Sequence, residues 1–287
     1  MRPATPPKTR VEFRDRVDAF GDRLDARFGA FFGFPTTPGT FDVVHTVRPN
    51  ERFTSASLIK LFVQYALYDR YDGRLDALTE PYGLAAENRV AGTGLFHLLD
   101  DPDPTLEDLA MAMIGISDNA ATNELIDHLG REKINTVLNE LGYADTRLGR
   151  KMMVTGGGTK DLPPGISENV TSPRDVASLV ADTVHETTLS SVAYDRLRVP
   201  LRHQHDTSMV ARYLPLGVDI EHKTGELTDA VLDAGTLRIE DCDPLVFAVF
   251  LDELDSPGEG TDVLASVGAL VYDWLETHRE SDGLAVG

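Results

Sequence analysis

Ser57 and Lys60 lie three residues apart in Thr54-Ser55-Ala56-Ser57-Leu58-Ile59-Lys60-Leu61, a spacing that puts a hydroxyl and an amine on one face of a helix, about one turn apart. A serine beside a lysine that has lost its proton is an acyl-transfer pair: the hydroxyl attacks a carbonyl and the amine takes its proton. Lysine ordinarily titrates near ~10.4, so the pair works at neutral pH only where burial and nearby positive charge lower that value. Leu58, Ile59, Leu61 and Phe62 surround Lys60 with apolar side chains. Two further short motifs follow in order. Ser117-Asp118-Asn119 offers a second hydroxyl and an amide, and Lys223-Thr224-Gly225 offers the second cation and a glycine that permits close backbone approach. Glu226 follows directly.

Each motif alone has an ordinary reading. Ser57 reads as an N-cap with Lys60 exposed in the first turn, Ser117-Asp118-Asn119 as a plain helix cap, and Lys223 as an edge-strand lysine before a bulge. What favours chemistry is that all three occur together, each opening the element that suits it. Leu58, Phe62, Tyr65, Ala66 and Tyr68 follow helical spacing up to Gly73, so the Ser57–Lys60 pair opens a helix. Asn119 to Leu129 reads as a helix stopped by Gly130, so Asp118 caps it while Ser117 faces away. Lys223 sits where strands return beyond about residue 215.

The remaining chain supplies the frame. Residues 1–10 read as a disordered lead-in. Residues 11–28 read as an amphipathic helix with Val11, Val17, Phe20, Leu24 and Phe28 on one side, and Gly29–Phe34 and Phe41–Val47 as a strand pair. Leu106–Ile114, Glu132–Leu141 and Pro173–Val184 read as further helices, the last with proline in its first turn. Residues 150–170 are irregular and rich in Gly and Pro. Gly225–Leu237 and Pro244–Leu251 read as paired strands, Val246–Leu251 apolar enough for burial on both faces, and residues 260–277 as a closing helix. Strands at both chain ends with helices between them must meet in one sheet.

Composition narrows the classes. The 287 residues carry 47 acidic against 27 basic side chains, a net charge of -20, with only six lysines, two of them in the motifs. So acidic a surface excludes nucleic acid and anionic membranes as expected partners. It repels itself at low salt, which points to a protein of a high-salt cytoplasm or medium. One cysteine, Cys242, excludes an intrachain disulfide. No window approaches a membrane span, and the segment from Met1 to Lys8 has no apolar run, so the expected location is the cytoplasm, or outside the cell if a leader precedes these residues. His203 and His205 form a pair without further ligands, and neither metal nor cofactor is expected. Oligomeric state is not legible; a monomer is the simpler expectation.

From roughly residue 35 to 278 the chain resembles the superfamily of class A β-lactamases and penicillin-binding proteins, which carries Ser-x-x-Lys, Ser-Asp-Asn and Lys-Thr-Gly in this order. Gly92–Phe96, Ser117–Asn123 and Thr146-Arg147-Leu148 look familial as well. The resemblance implies an α+β fold: an antiparallel sheet flanked by helices (residues 11–55 plus 200–287), with an all-α domain (56–199) inserted between the terminal strands. It implies Ser57 as nucleophile, Lys60 as its base or proton shuttle, and Ser117 as the relay to the leaving group. Asn119 would bond the substrate amide, Lys223 and Thr224 its carboxylate, and the backbone N–H groups of Ser57 and Glu226 would form the oxyanion hole. The implied substrates are β-lactams or other small esters and amides. A D,D-peptidase or esterase on the same fold is a second reading, and a non-turnover acylated sensor or binding protein a third.

The pattern breaks at one place. Class A enzymes carry a glutamate just after an arginine and an aromatic residue, beyond the Thr-Arg-Leu segment, and it activates the deacylating water. Here the string continues Gly149-Arg150-Lys151-Met152-Met153, and a thioether cannot be a general base. The nearest carboxylates are Asp161 and Glu168, of which Glu168 is expected to pair with Arg150 or Arg147. Acylation is therefore expected to outrun deacylation.

Overall fold

The structure is a computed structural model that describes residues 5–153 and 167–282. Asp161 and most of the irregular stretch lie outside the described residues. Strands β1 (Arg27–Thr37) and β2 (Thr40–Val47) form the first hairpin. β5 (Asp219–Leu227), β6 (Ala230–Arg238) and β7 (Leu245–Asp252) form a meander. They join in one antiparallel sheet of order β2-β1-β7-β6-β5, in which β1 meets β7 from Arg27↔Asp252 to Gly33↔Val246. The chain ends thus share a sheet, and β5, which carries Lys223-Thr224-Gly225, is one of its edges. A two-stranded ribbon of β3 (Phe53–Thr54) and β4 (Val170–Thr171) lies just before Ser57.

The strand period of two sorts side chains onto two cores. Phe32, Phe247, Val249 and Leu251 face a cluster with Phe13, Val17 and Phe20 of α1 (Arg10–Gly21) and Leu270 and Trp274 of α8 (Pro257–Asp282). Phe31, Val246, Ala248 and Phe250 face the other cluster, shared with α2 (Ile59–Tyr71) and α6 (Pro173–His185). β7 is buried on both faces, as its unbroken apolar run requires. Each of these phenylalanines, fully withdrawn from water, contributes about 1.5–3 kcal/mol. α2 is buried on nearly every side, and α3 (Leu106–Gly115), α4 (Asn119–Leu129), α5 (Arg131–Glu140) and α7 (Ser191–Arg202) pack around it. Among the described residues no helix is long and apolar enough to cross a membrane.

Local chemistry accounts for most boundaries. Thr105 and Asp108 form a reciprocal capping box on α3, Asp118 caps α4, and Ser172 with Pro173 opens α6. Two expectations need correction, and one helix is an addition. The first helix stops at Gly21, and Phe28 belongs to β1. Phe28 mimics the helical period because, from its strand, it reaches the same cluster as Phe13, Val17 and Phe20. The stretch Gly225–Leu237 is the end of one strand and most of the next, since Leu227 pairs with Ala230 across a two-residue turn at Thr228-Asp229 that carries no glycine to announce it. α7 was not foreseen, because Pro200 inside its last turns reads as a helix breaker.

Candidate active site

The start of α2 is shaped before it is helical. A short 3-10 turn, Ala56–Leu58, leads into it, and Ala56 is held at a φ of 41°. Ser117 (φ 56°) and Met153 (φ 59°) are likewise in the left-handed region. Non-glycine residues occupy that region only where surrounding contacts outweigh the strain, of order 1–3 kcal/mol each. Ala56 is flanked by anchored backbone: Ser55 N–H donates to Asn169 O at 2.9 Å and Leu58 N–H to Ser55 O at 2.9 Å. Gly225 faces this turn from β5. A Cβ there would stand 3.1 Å from the Ser57 nitrogen, so the glycine expected to admit a ligand instead admits the Ser57 turn against the strand edge.

Lys60 is fully buried, and its Nζ reaches three oxygens: Ser117 O at 2.7 Å, Ser117 Oγ at 3.0 Å and Asn119 Oδ1 at 2.8 Å. The first and second motifs are therefore joined through one nitrogen. Burial, and then the charge of Lys223, push the Lys60 amine well below the ordinary lysine value, with Asp118 opposing. The Nζ is the donor to all three oxygens. Lys223 is also fully buried; its Nζ donates to Thr224 O at 2.7 Å, and burial lowers it to about 8, against the pull of Asp206 and Asp233.

Asp118 organises the opposite wall. Its Oδ1 accepts from Ala121 N–H at 2.9 Å, the expected cap, and its Oδ2 accepts from Leu95 and Phe96 N–H at 2.6 and 2.9 Å. Gly94 makes this possible: at φ 122°, any Cβ would lie 2.4 Å from the Asp118 carboxylate. Asn119 N–H donates to Thr93 O at 3.0 Å. The strand wall is held from behind by Glu221, whose buried carboxylate accepts from Arg198 at 3.0 Å and Arg202 at 2.7 Å and pairs with Arg238 at 3.2 Å.

Between these walls lies a cleft of about 350 Å³, lined by Ser57, Asn119 and Glu226 together with Lys151, Met152 and Met153. Met153 and Met152 both follow the Thr146-Arg147-Leu148 segment, and Met152 is anchored through its backbone. Asn123 grips it by both backbone groups: Met152 N–H donates to Asn123 Oδ1 at 2.7 Å, and Asn123 Nδ2 donates to Met152 O at 3.2 Å. Its side chain is buried in the helical core. Lys151 is tied to Asp127 at 2.6 Å and Asn88 at 2.7 Å. Glu168 and Arg150 act on each other: burial raises the Glu168 carboxyl while Arg150 opposes. His203 bonds the Val199 carbonyl and His205 N–H the Gly115 carbonyl. Among the described residues no cluster of three or more His, Cys, Asp or Glu could hold a metal.

Sequence reading missed Asn123, Asn169 and Asp206. Asn123 had a signal, since it lies four residues after Asn119 on the same helix face. Asp206-Thr207-Ser208 had the signature of an Asx turn. Asn169, whose Oδ1 accepts from Gly149 and Arg150 N–H at 2.8 and 2.9 Å, had none.

The sequence model of the beta-lactamase enzyme family matches residues 23–275. A beta-lactamase of Rhodobacter capsulatus is 29% identical over 201 residues, 66% of this chain; the match spans 64% of that enzyme's length. The beta-lactamase of Sphaerobacter thermophilus superposes with a TM-score of 0.79 at 32% identity, covering 92% of this chain and 97% of that one. A leucine-to-glutamate mutant of PBP-A, solved as an acyl-enzyme complex with penicillin-G, superposes with a TM-score of 0.80 at 25% identity, covering 94% and 99%.

Proposed function

The chain belongs to the beta-lactamase enzyme family and has the class A fold, and from that premise we propose that it is a serine hydrolase that forms an acyl-enzyme at Ser57 and releases it slowly. The observation that carries this is Lys60, buried, its amine lowered well below the ordinary lysine value, and joined to both Ser117 and Asn119. The Ser57 hydroxyl oxygen bonds to the substrate carbonyl carbon and its proton passes to the neutral Lys60 amine. The oxyanion is met by the N–H groups of Ser57 and Glu226 at the start of the helix and the strand edge. The C–N or C–O bond breaks, Ser117 gives its proton to the leaving atom, and Lys60 returns one to Ser117. Asn119 orients the substrate amide.

Release of the acyl group needs a water and a base. Met152 offers none, and losing a general base costs ~10²–10⁴ in the step it serves. The substrates proposed are β-lactams and other small esters or amides. The penicillin-binding alternative, in which acylation is the end point, is favoured by the same methionine.

Intact-protein mass spectrometry after mixing with benzylpenicillin in high KCl tests the proposal. The expected result is a lasting adduct on the wild-type chain and none on Ser57→Ala. Rapid turnover with no accumulated adduct overturns slow release, and no adduct under any condition overturns the assignment of Ser57.

A further inference from the structure

One turn beyond Lys60, α2 carries a polar side chain that no catalytic step uses. Gln64 follows Lys60 by four residues, so the two share a helix face. Its side chain is 0% exposed, yet only one end of its amide is satisfied. Nε2 donates to Leu197 O of α7 at 3.0 Å, while Oε1 finds no partner among the described residues. The bond to a carbonyl fixes which end of the amide is which. Turned over, Oε1 would face the Leu197 oxygen, acceptor against acceptor. The unpaired atom is therefore an acceptor, and a buried acceptor without a donor is unfavourable.

Gln64 lines a cavity of about 20 Å³ between the helices and the sheet, counted as the space open to the centre of a water molecule. Leu61, Leu179 and Leu197 give it aliphatic walls from α2, α6 and α7. Ala234, the cross-strand neighbour of Lys223, lines it from β6. Glu221 and Thr236 also line it, but both are engaged elsewhere. Glu221 is held by Arg198, Arg202 and Arg238, and the Thr236 hydroxyl accepts from Arg238 at 3.1 Å and donates to Glu221 at 3.5 Å. Thr183 of α6, 5% exposed, donates its proton to Val180 O at 2.7 Å, which leaves its oxygen able to accept. The cavity thus holds two buried acceptors on two helices, Gln64 Oε1 and Thr183 Oγ1.

Their chemistry and the volume define the ligand. By this measure about 10–15 Å³ is needed for one water, so the space suits a single water. A water brings two protons to two acceptors, whereas an apolar atom would leave both unpaired. We infer that this cavity is a binding site for one buried water, which donates to Gln64 Oε1 and to Thr183 Oγ1 and so ties α2, the helix of Lys60, to α6. Such a bridge is nearly as favourable as a direct hydrogen bond.

The test is a high-resolution crystal structure of the full chain, with and without xenon pressure, beside Gln64→Met, which keeps the side-chain length and removes the acceptor. The wild type is expected to show a spherical peak about 2.5–3.0 Å from both acceptors and to take up no xenon there, and Gln64→Met is expected to lose the peak. No peak, or xenon in the wild-type cavity, overturns the inference. A peak that persists in Gln64→Met overturns it too, since that water would not be held by Gln64. Oxygen-17 relaxation dispersion in solution tests the second contact. In Thr183→Val, which keeps the shape and removes the other acceptor, the residence time of this water is expected to fall about fivefold, the loss of one hydrogen bond. An unchanged residence time overturns the bridge. Should Gln64→Met fail to fold, Gln64→Leu and the wild-type peak decide in the same way.

Discussion

The two walls of the cleft are built to different standards. On the side of Ser57, Lys60, Ser117 and Asn119, one buried nitrogen links both motifs at 2.7–3.0 Å, and backbone strain at Ala56 and Ser117 is held in place by buried neighbours. On the side of Lys151, Met152 and Met153, Asn123 anchors the Met152 backbone equally firmly and Asn88 holds the Lys151 ammonium, but neither a thioether nor an ion-paired lysine is a base. Rigidity alone therefore does not make a catalytic wall. A firmly held position does chemistry only if its side chain can exchange a proton, and on the function proposed above that property divides the step that would form an acyl-enzyme from the step that would clear it.

The largest expected effect falls on the first wall. Lys60→Ala should slow acylation of Ser57 by about 10³-fold, the range general-base losses ordinarily span, measured by quenched-flow mass spectrometry. A loss under tenfold would mean that the buried amine is not the base. Next, Met152→Glu puts a carboxylate on a backbone that Asn123 already holds, and should shorten the adduct lifetime by about 10²-fold with little change in acylation. An unchanged lifetime would show that the second wall lacks more than a base.

The pH profile sharpens the same contrast. Acylation requires the neutral Lys60 amine, so its rate should fall as pH drops through the lowered Lys60 value and level off above it, well below the ordinary lysine range. After burial, the Lys223 charge is the next cause of that lowering, and it is present below about 8. Lys223→Ala should therefore move the rising limb to higher pH; a limb that stays put would mean the two cations are not coupled. The smallest effect is on stability. Asn123→Ala leaves Met152 N–H and O without partners in a buried setting, a cost of about 1–3 kcal/mol, seen as a melting point lower by several degrees. An unaltered melting point would mean the clamp contributes nothing.

Much of this molecule is local. Thr105 with Asp108, Asp118 with Ala121, and Ser172 with Pro173 set helix starts through contacts three or four residues apart, and Gly130 stops α4. The unbroken apolar run of β7 marks it as the strand buried on both faces. The order of the three motifs was legible for the same reason: Ser57 to Lys60, Ser117 to Asn119 and Lys223 to Gly225 are each contiguous, and that methionines stand at 152 and 153 is a matter of reading the chain. Those features follow from sequence because propensity, capping and periodicity act over a few residues.

What only the folded chain decided joins distant segments. Lys60 meets Ser117 across 57 residues, and Asn123 grips Met152 across 29. Burial, which lowers the Lys60 amine from its ordinary value, is likewise set by the helices packed around α2 and is no property of the residue itself. Long-range approach and desolvation depend on how whole elements pack, and no spacing along the chain encodes them.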